Sequence, residues 1–364
     1  MEVKALMEIT IQPAAAGQRR PKPADESKLV FGKTFSDHMF ITKYQSGRGW
    51  QDARIAPYEN LSLDPAAMVL HYGQGIFEGL KAYRWHNGDI YLFRPEKNME
   101  RLNRSARRMC MPEIDVPWQM EILAALLKLD VDWIPHSVGS SLYIRPTMIA
   151  SEPALGVRPA QEYLYYIITG PVGAYYPEGF NPVKIYVTDE HIRAVRGGVG
   201  EAKTMANYAA SLYAAEMAKK KGYTQVLWLD AVERAWVEEV GTMNIFFRID
   251  DQLITPPLSG SILPGITRDS VLELARHWGL RVIERPIRIH EVIASIRSGK
   301  MREIFGTGTA AVISPVGEIF YKDQLYRIQD GAVGEWSQKF YDEILGIQYG
   351  EKIDPFGWIR KVTL

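Results

Sequence analysis

Gly197-Gly-Val-Gly-Glu-Ala-Lys-Thr-Met-Ala-Asn-Tyr208 is the stretch from which the rest of the chain can be read. It sets one lysine, Lys203, between a glycine-rich loop and a strongly helical segment that closes in Lys219-Lys220-Lys221-Gly222. Cations in a last turn offset the negative end of the helix dipole, and a glycine beyond it accepts φ > 0. With a helix start near Met205, Lys203 stands before its positive end, a candidate amine nucleophile of the kind that forms Schiff bases with carbonyl compounds. A solvated lysine in a glycine-rich loop is the plain alternative, and the segments downstream argue against it.

Glu239-Val-Gly-Thr-Met-Asn244 places a carboxylate at the start of an apolar, strand-like run continuing Ile245-Phe246-Phe247. Leu263-Pro-Gly-Ile-Thr267 opens a second helix, with Val271, Leu274 and Trp278 at helical spacing and Gly279 closing it. The first amides of a helix are a ready anion site, which makes those of Ile266 and Thr267 candidates for a phosphate. Gly306-Thr-Gly-Thr-Ala310 forms a donor-rich turn between β-rich runs at Glu303–Phe305 and Ala311–Ile313. A lysine amine, a carboxylate and a phosphate site are what pyridoxal 5'-phosphate requires of a protein, the acid lying opposite its ring nitrogen.

The chain also resembles the branched-chain amino-acid aminotransferases, pyridoxal-phosphate enzymes of fold type IV, from about Phe31 to the C-terminus. The resemblance is carried by His71-Tyr-Gly-Gln-Gly-Ile-Phe-Glu-Gly-Leu-Lys-Ala-Tyr83, Phe93-Arg-Pro, Asn98-Met-Glu-Arg-Leu102, Leu142-Tyr-Ile-Arg-Pro146, Glu152-Pro-Ala-Leu-Gly-Val157, Pro171-Val-Gly-Ala-Tyr175 and Gln225-Val-Leu-Trp-Leu229, together with the segments above. It implies a mixed α/β (α+β) chain of two domains with the cofactor at their interface. Lys203 then matches the lysine that bonds the cofactor aldehyde and later moves the proton. Glu239 matches the carboxylate at the ring nitrogen, and Tyr208, helped by Asn244, the group at the phenolic oxygen. Arg101, the Leu263-Pro-Gly265 turn, the amides of Ile266 and Thr267, and Thr309 would hold the phosphate. The substrate α-carboxylate would meet the turn at Thr309-Ala310. Tyr72, Phe77, Tyr143, Arg145, Tyr175 and Thr242 resemble the lining of the side-chain pocket. Leu155 and Val157 match a loop reaching into the partner subunit's site, and Tyr72 resembles a residue that crosses over with it, so a homodimer is implied.

Residue chemistry supports these roles on its own terms. Asn98 to Met109 reads as an amphipathic helix with Met99, Leu102, Ala106 and Met109 on one stripe and Arg101, Arg104 and Arg108 on another. A guanidinium offers phosphate a fork of donors, but for Arg104 and Arg108 a solvated basic face is the simpler reading. In Ser141-Leu-Tyr-Ile-Arg-Pro-Thr-Met-Ile149 the alternation puts Tyr143, Arg145 and Thr147 on one side. An aromatic pocket with one arginine at its rim serves both an aliphatic amino acid and glutamate. The competing reading of Tyr143 and Arg145 is an ordinary sheet face with an exposed ion pair.

Other classes fail on spacing or composition. Gly306-Thr-Gly308-Thr-Ala-Ala311 fits a dinucleotide fingerprint, yet Val312-Ile-Ser-Pro315 follows where a helix is required. The seven histidines show no metal-like pairing, so no metal is expected. Lys plus Arg and Asp plus Glu are 43 each, which leaves no global positive field for nucleic acid or anionic membrane. Cys110 is the only cysteine, excluding an intrachain disulfide and fitting a reducing, cytoplasmic setting. No apolar run approaches the roughly 20 residues of a membrane span, and the first thirty residues lack the order of a signal peptide. Some animal members of the family carry a Cys-x-x-Cys redox pair where this chain has Ala311 and Ser314.

At about 100–200 residues per domain, 364 residues suggest two. Residues 1–170 form the expected small N-terminal domain, its first 30 residues a loose arm and its helices at Asn98–Met109 and Glu121–Leu129. Residues 171–182, dense in Pro and Gly, are the expected linker. Residues 183–364 are the larger cofactor-binding domain, with helices from Ala206, Thr267 and Glu291. The expected reaction is transamination of leucine, isoleucine and valine with 2-oxoglutarate. A D-amino-acid aminotransferase or an aminodeoxychorismate lyase of the same fold group is the alternative.

Overall fold

Two nine-stranded sheets organise the chain, seen in a computed structural model that describes residues 7–173 and 180–363. In chain order the strands are β1 (Thr10–Ile11), β2 (His38–Gln45), β3 (Gly49–Pro57), β4 (Gly75–Phe77), β5 (Leu80–Arg84), β6 (Ile90–Phe93), β7 (Ser141–Ala150), β8 (Glu162–Val172), β9 (Val183–Thr188), β10 (Gln225–Leu229), β11 (Val237–Val240), β12 (Asn244–Ile249), β13 (Gln252–Thr255), β14 (Arg281–Glu284), β15 (Met301–Gly308), β16 (Val312–Tyr321), β17 (Gln324–Arg327) and β18 (Ile359–Val362). The helices are α1 (Met68–Tyr72), α2 (Pro95–Arg108), α3 (Val116–Leu129), α4 (Met205–Lys220), α5 (Ile266–His277), α6 (Ile289–Arg297) and α7 (Glu335–Gln348).

Unit 1 comprises residues 1–175, 202–206 and 347–364; unit 2 comprises 176–201 and 207–346. The division differs from a simple cut at the linker. The short segment carrying Lys203 belongs with the N-terminal unit, because Thr204 bridges Ile76 and its hydroxyl donates to the Gly75 carbonyl at 2.8 Å. The C-terminal strand belongs there too, pairing antiparallel with β6.

In unit 1 the sheet runs β1-β3-β2-β8-β7-β5-β6-β18, with β4 on β7. Its core joins Phe40, Ile55, Leu80, Ile144 and Ile167 to Met99, Leu102 and Ala106 of α2 and to Ile122 and Leu126 of α3. That is the α2 stripe expected from its periodicity, and burying each large apolar side chain of this kind stabilises the unit by about 1.5–3 kcal/mol. Asp115 caps α3 by accepting from the Trp118 amide, a bond of the kind worth about 1 kcal/mol.

The described part of the N-terminal arm is tied down, which corrects the expectation of a loose segment. Thr10–Ile11 adds a parallel strand to β3. The Ala14 amide donates to His38 Nε2 at 2.8 Å, the Arg20 amide to Asp37 at 2.7 Å, and Glu26 accepts from the amides of His136 and Ser137. Prolines deny this arm a long ladder, but its amides find side-chain acceptors that composition does not disclose.

In unit 2 the order is β11-β10-β9-β16-β15-β12-β13-β14, with β17 on β16. Strand β9 pairs parallel with both β10 and β16, and the β12–β15–β16 meander is antiparallel. This mixture is the expected mixed α/β class. Helix α4 starts at Met205, one residue before its expected start, and α5 at Ile266. Gly222 and Gly279 follow the helices with φ of 84° and 70°.

Candidate functional site

In unit 1 the antiparallel register of β4 and β5 against β7 decides which side chains share a face. Phe77 lies opposite Thr147 and Lys81 opposite Tyr143, so Phe77, Gly79 and Lys81 share one face with Thr147, Arg145 and Tyr143. Arg145 donates to Tyr143 Oη at 3.0 Å and stacks over the rings of Phe77 (4.7 Å) and Tyr143 (5.2 Å). A Cβ at Gly79 would collide with the Tyr143 hydroxyl, which is why a glycine stands there. An aromatic surface braced by one guanidinium is thus present, as the sequence suggests.

Lys203 is held through its backbone on the same unit. Its carbonyl accepts from the Phe77 amide at 3.1 Å and its amide donates to Ser105 Oγ at 2.9 Å. Its ammonium nitrogen lies 5.0 Å from the centroid of the Phe77 ring. Strand β4 and helix α2 therefore fix the lysine's root while its amine faces the aromatic surface.

Arg101 is engaged in a way that the sequence did not disclose. Its Nε and Nη2 donate to the two oxygens of Glu78 at 2.7 and 2.8 Å, and both side chains are buried. Asn98 adds a bond to Glu78 at 2.8 Å and another to the Gly79 carbonyl. Burial pushes the Glu78 carboxyl up, but the charge and hydrogen bonds of Arg101, the charge of Lys203 and the Asn98 amide outweigh it. The net shift is below the ordinary range. Arg104 and Arg108 are exposed, in keeping with the simpler reading of a basic face. Lys81 is a second residue outside the expected set: burial lowers its ammonium to about 8.

Tyr72, Leu155 and Val157 form an exposed patch. Tyr72 Oη donates to the Leu155 carbonyl, while Ala67 bridges Pro153 and Glu152 pairs with Arg158 to set the loop. All three are more than a third exposed. Tyr175 lies outside the described residues.

In unit 2 Glu239 is buried on β11. One oxygen accepts from Asn244 Nδ2 at 2.9 Å and from the Leu263 amide at 3.2 Å; the other meets Arg193 Nε at 2.7 Å as an ion contact rather than an aligned hydrogen bond. Arg193, absent from the sequence-based set, also donates to the Ser261 carbonyl. Asn244 donates to Glu239 and, at 2.9 Å, to the Leu263 carbonyl. A Cβ at Gly265 would strike the Asn244 side chain, so that glycine is needed for the approach. Tyr208, Thr242, Leu263, Glu239 and Arg193 line one small cavity of about 20 Å³.

Gly265 is also the residue preceding α5, where it offers no side-chain cap. The first helical amides have no intrahelical acceptors, and here they belong to the buried Ile266 and Thr267. The turn Thr309–Ala311 follows β15, whose Thr307 pairs with Asn244. Each unit taken by itself carries groups whose chemistry fits pyridoxal phosphate: unit 2 an uncapped helix start suited to a phosphate and a buried carboxylate suited to a ring nitrogen, and unit 1 a rooted lysine suited to an aldehyde.

A family model described as "Amino-transferase class IV" matches residues 75–319. The chain belongs to that family. It is 54% identical over 354 residues to "Branched-chain-amino-acid aminotransferase 2" of Bacillus subtilis (strain 168), covering 97% of both chains. Among solved structures, a branched-chain amino acid aminotransferase of Escherichia coli superposes with a TM-score of 0.75 at 27% identity, covering 90% of this chain and 99% of that one. The branched-chain amino acid aminotransferase of Thermobaculum terrenum in its PLP form gives 0.70 at 25% identity, covering 89% and 98%. As a class IV aminotransferase the chain has the fold type expected of it. No described helix is long and apolar enough to cross a membrane, and no group of described residues forms a metal cluster.

Proposed function

We propose that this enzyme is a branched-chain amino-acid aminotransferase, moving the amino group of L-leucine, L-isoleucine or L-valine to 2-oxoglutarate with pyridoxal 5'-phosphate. The observation that carries the reading is the single guanidinium of Arg145 stacked between Phe77 and Tyr143. Aliphatic side chains find aromatic surface there, and a side-chain carboxylate finds the Arg145 guanidinium. The 54% identity to the Bacillus subtilis relative points the same way.

When bound, the cofactor supplies an electron sink conjugated to the substrate's amino group. Lys203 Nζ is the amine that would hold it and then take the proton from the substrate's Cα, returning it on the other side of the exchange. Glu239, fixed by Asn244, Leu263 and Arg193, would offer its carboxylate to the ring nitrogen. The Ile266 and Thr267 amides, Thr309 and Arg101 would bind phosphate, with Glu78 orienting the Arg101 fork. Tyr208 would bond the phenolic oxygen, the Thr309-Ala310 turn the substrate α-carboxylate, and Thr242 would line the side-chain pocket. Ala311 and Ser314 carry no thiols, so oxidants form no disulfide at that turn.

The exposed Tyr72, Leu155 and Val157 support a homodimer in which this loop completes the partner's site, and exposed Leu212 and Tyr213 on α4 add apolar surface for it. The single cysteine fits a cytoplasmic location. A panel of L- and D-amino acids assayed against 2-oxoglutarate tests the substrate class. Preference for D-alanine or D-glutamate would overturn it in favour of a D-amino-acid aminotransferase.

A further inference from the structure

A cavity of about 430 Å³ opens on unit 2, lined by none of the side chains assigned to transamination. Much of its wall is apolar, with Val195, Val232, Trp236, Ile262, Pro257 and Pro286 in it. Val195 and Val232 are exposed at 42% and 84%, an unusual outlay of aliphatic surface beside an indole and prolines.

Three carboxylates line the same cavity, and two are well supplied with donors. Asp230 accepts from the amides of Val232, Glu233, Ala235 and Trp236, which makes the intervening loop rigid. Glu233 accepts from Trp236 Nε1 at 3.0 Å and from Arg288 at 2.7 Å. Glu238 is different. Only 7% of it is exposed, its Oε1 accepts from Ser261 Oγ, and its Oε2 has no hydrogen-bond partner among the described residues. Burial pushes this carboxyl above its ordinary range, against the Ser261 bond and the charges of Arg193 and Arg196.

A buried acceptor left unpaired costs free energy until a donor arrives. Apolar walls around one such acceptor are the usual anatomy of a small-molecule pocket. The complement of an anionic acceptor is an N–H cation, and the complement of the walls is a branched or aromatic body. We propose that this cavity is a second binding site, for a small ammonium compound with an apolar body, covered by Trp236 and the valines and held by Glu238, whose Oε2 is closed to water in the empty protein and turns into the cavity on binding. Arg196, exposed at the lining, gives the site a cation for any carboxylate that such a compound carries.

The test uses the pyridoxal-phosphate-loaded enzyme and N,N-dimethyl-3-methylbutylamine hydrochloride. A tertiary ammonium keeps one N–H but cannot form a Schiff base, so it does not react at Lys203. Isothermal titration calorimetry should show saturable binding with a Kd on the order of 1 mM or tighter. Glu238→Gln should weaken it about tenfold or more, the loss of a charge-assisted bond. Val195→Trp, which plugs the mouth from an exposed position, should abolish binding and keeps the proposal testable should the buried Gln variant misfold. Lys203→Ala should leave it unchanged. Absence of saturable heat up to about 20 mM, far above that Kd, would overturn the proposal. So would equal affinity in both cavity variants, or loss of binding in Lys203→Ala.

Discussion

Two buried carboxylates, each facing an arginine, are held in different ways in this enzyme. Glu78 in unit 1 meets Arg101 as a two-bond fork, with Asn98 adding a third donor. Glu239 in unit 2 is held by an amide side chain, a backbone amide and one ion contact. The first is gripped on both oxygens by charge-assisted bonds and reads as a brace for Arg101. The second has neutral donors on one oxygen and an ion contact on the other, and it is the carboxylate proposed to meet the ring nitrogen. The kind of donor, more than burial, is what distinguishes the proposed positioning carboxylate from the proposed catalytic one.

The sharpest way to break this comparison is to neutralise each carboxylate in turn. Glu239→Gln should lower turnover by about 10²–10³, the loss from removing one preorganised electrostatic partner. Folding stability should fall less than on loss of Glu78, because Asn244 and Leu263 still have an oxygen to meet and Arg193, which loses its ion contact, keeps the Ser261 carbonyl. Single-turnover kinetics beside thermal unfolding would check this, and a variant that lost stability but kept its rate would invert the two assignments.

Glu78→Gln should do the reverse. Removing one partner of a buried pair leaves the Arg101 charge uncompensated and costs about 3–5 kcal/mol. The pH dependence sharpens the point. Glu78 is depressed in the folded state, so its contribution is present above the unfolded carboxylate value and is lost as pH falls through the folded value. Urea unfolding of the parent should therefore weaken on acidification below the ordinary Glu range, with a step that Glu78→Gln lacks. Equal acid sensitivity in both proteins would remove Glu78 from the pair's account.

Lys81 offers a third contrast, a buried cation on the face of Tyr143. Its folded value of about 8 lies below the ordinary lysine value of 10.5. The unfolded chain binds more protons between those values, so stability should rise with pH across that window. At pH 7 the ammonium form costs the fold roughly 3 kcal/mol, from about 1.4 kcal/mol per pH unit. Lys81→Met should recover much of this at pH 7 and flatten the rise, as read by unfolding at pH 7 and 9.5. An unchanged slope would show that another lysine titrates.

How far the sequence reached depends on the kind of signal. Lys203 ahead of a helix at Met205 and the uncapped start of α5 were legible, because helix ends are written in neighbouring residues. The Tyr143/Arg145 face was legible from two-residue alternation. The Glu78–Arg101 bond spans 23 residues, and Arg193 reaches Glu239 from another loop; neither has a local period to betray it. The same holds for the Lys203 segment, which packs with the first unit although its sequence adjoins the second. The arm's anchors at His38 and Asp37 are also side-chain acceptors for distant amides. Local chemistry thus named most of the proposed catalytic set, whereas the partners that aim it had to be seen.

The smallest expected effect tests the aromatic face rather than the carboxylates. Arg145 holds its place by stacking on Phe77 and Tyr143 and by one hydrogen bond to the Tyr143 hydroxyl. If its guanidinium also receives the side-chain carboxylate of glutamate, Arg145→Gln should weaken the glutamate half-reaction by about 1.5–3 kcal/mol, the range for a hydrogen bond to a charged group. Leucine brings no such carboxylate, so its half-reaction should fall much less. The quantity to measure is the ratio of single-turnover k/K for glutamate and leucine, because general damage to the site cancels in it. A proportionate loss for both would mean that Arg145 only props Tyr143 over Gly79, and dual recognition would then need another cation, for which Lys81, on that same face, is the candidate.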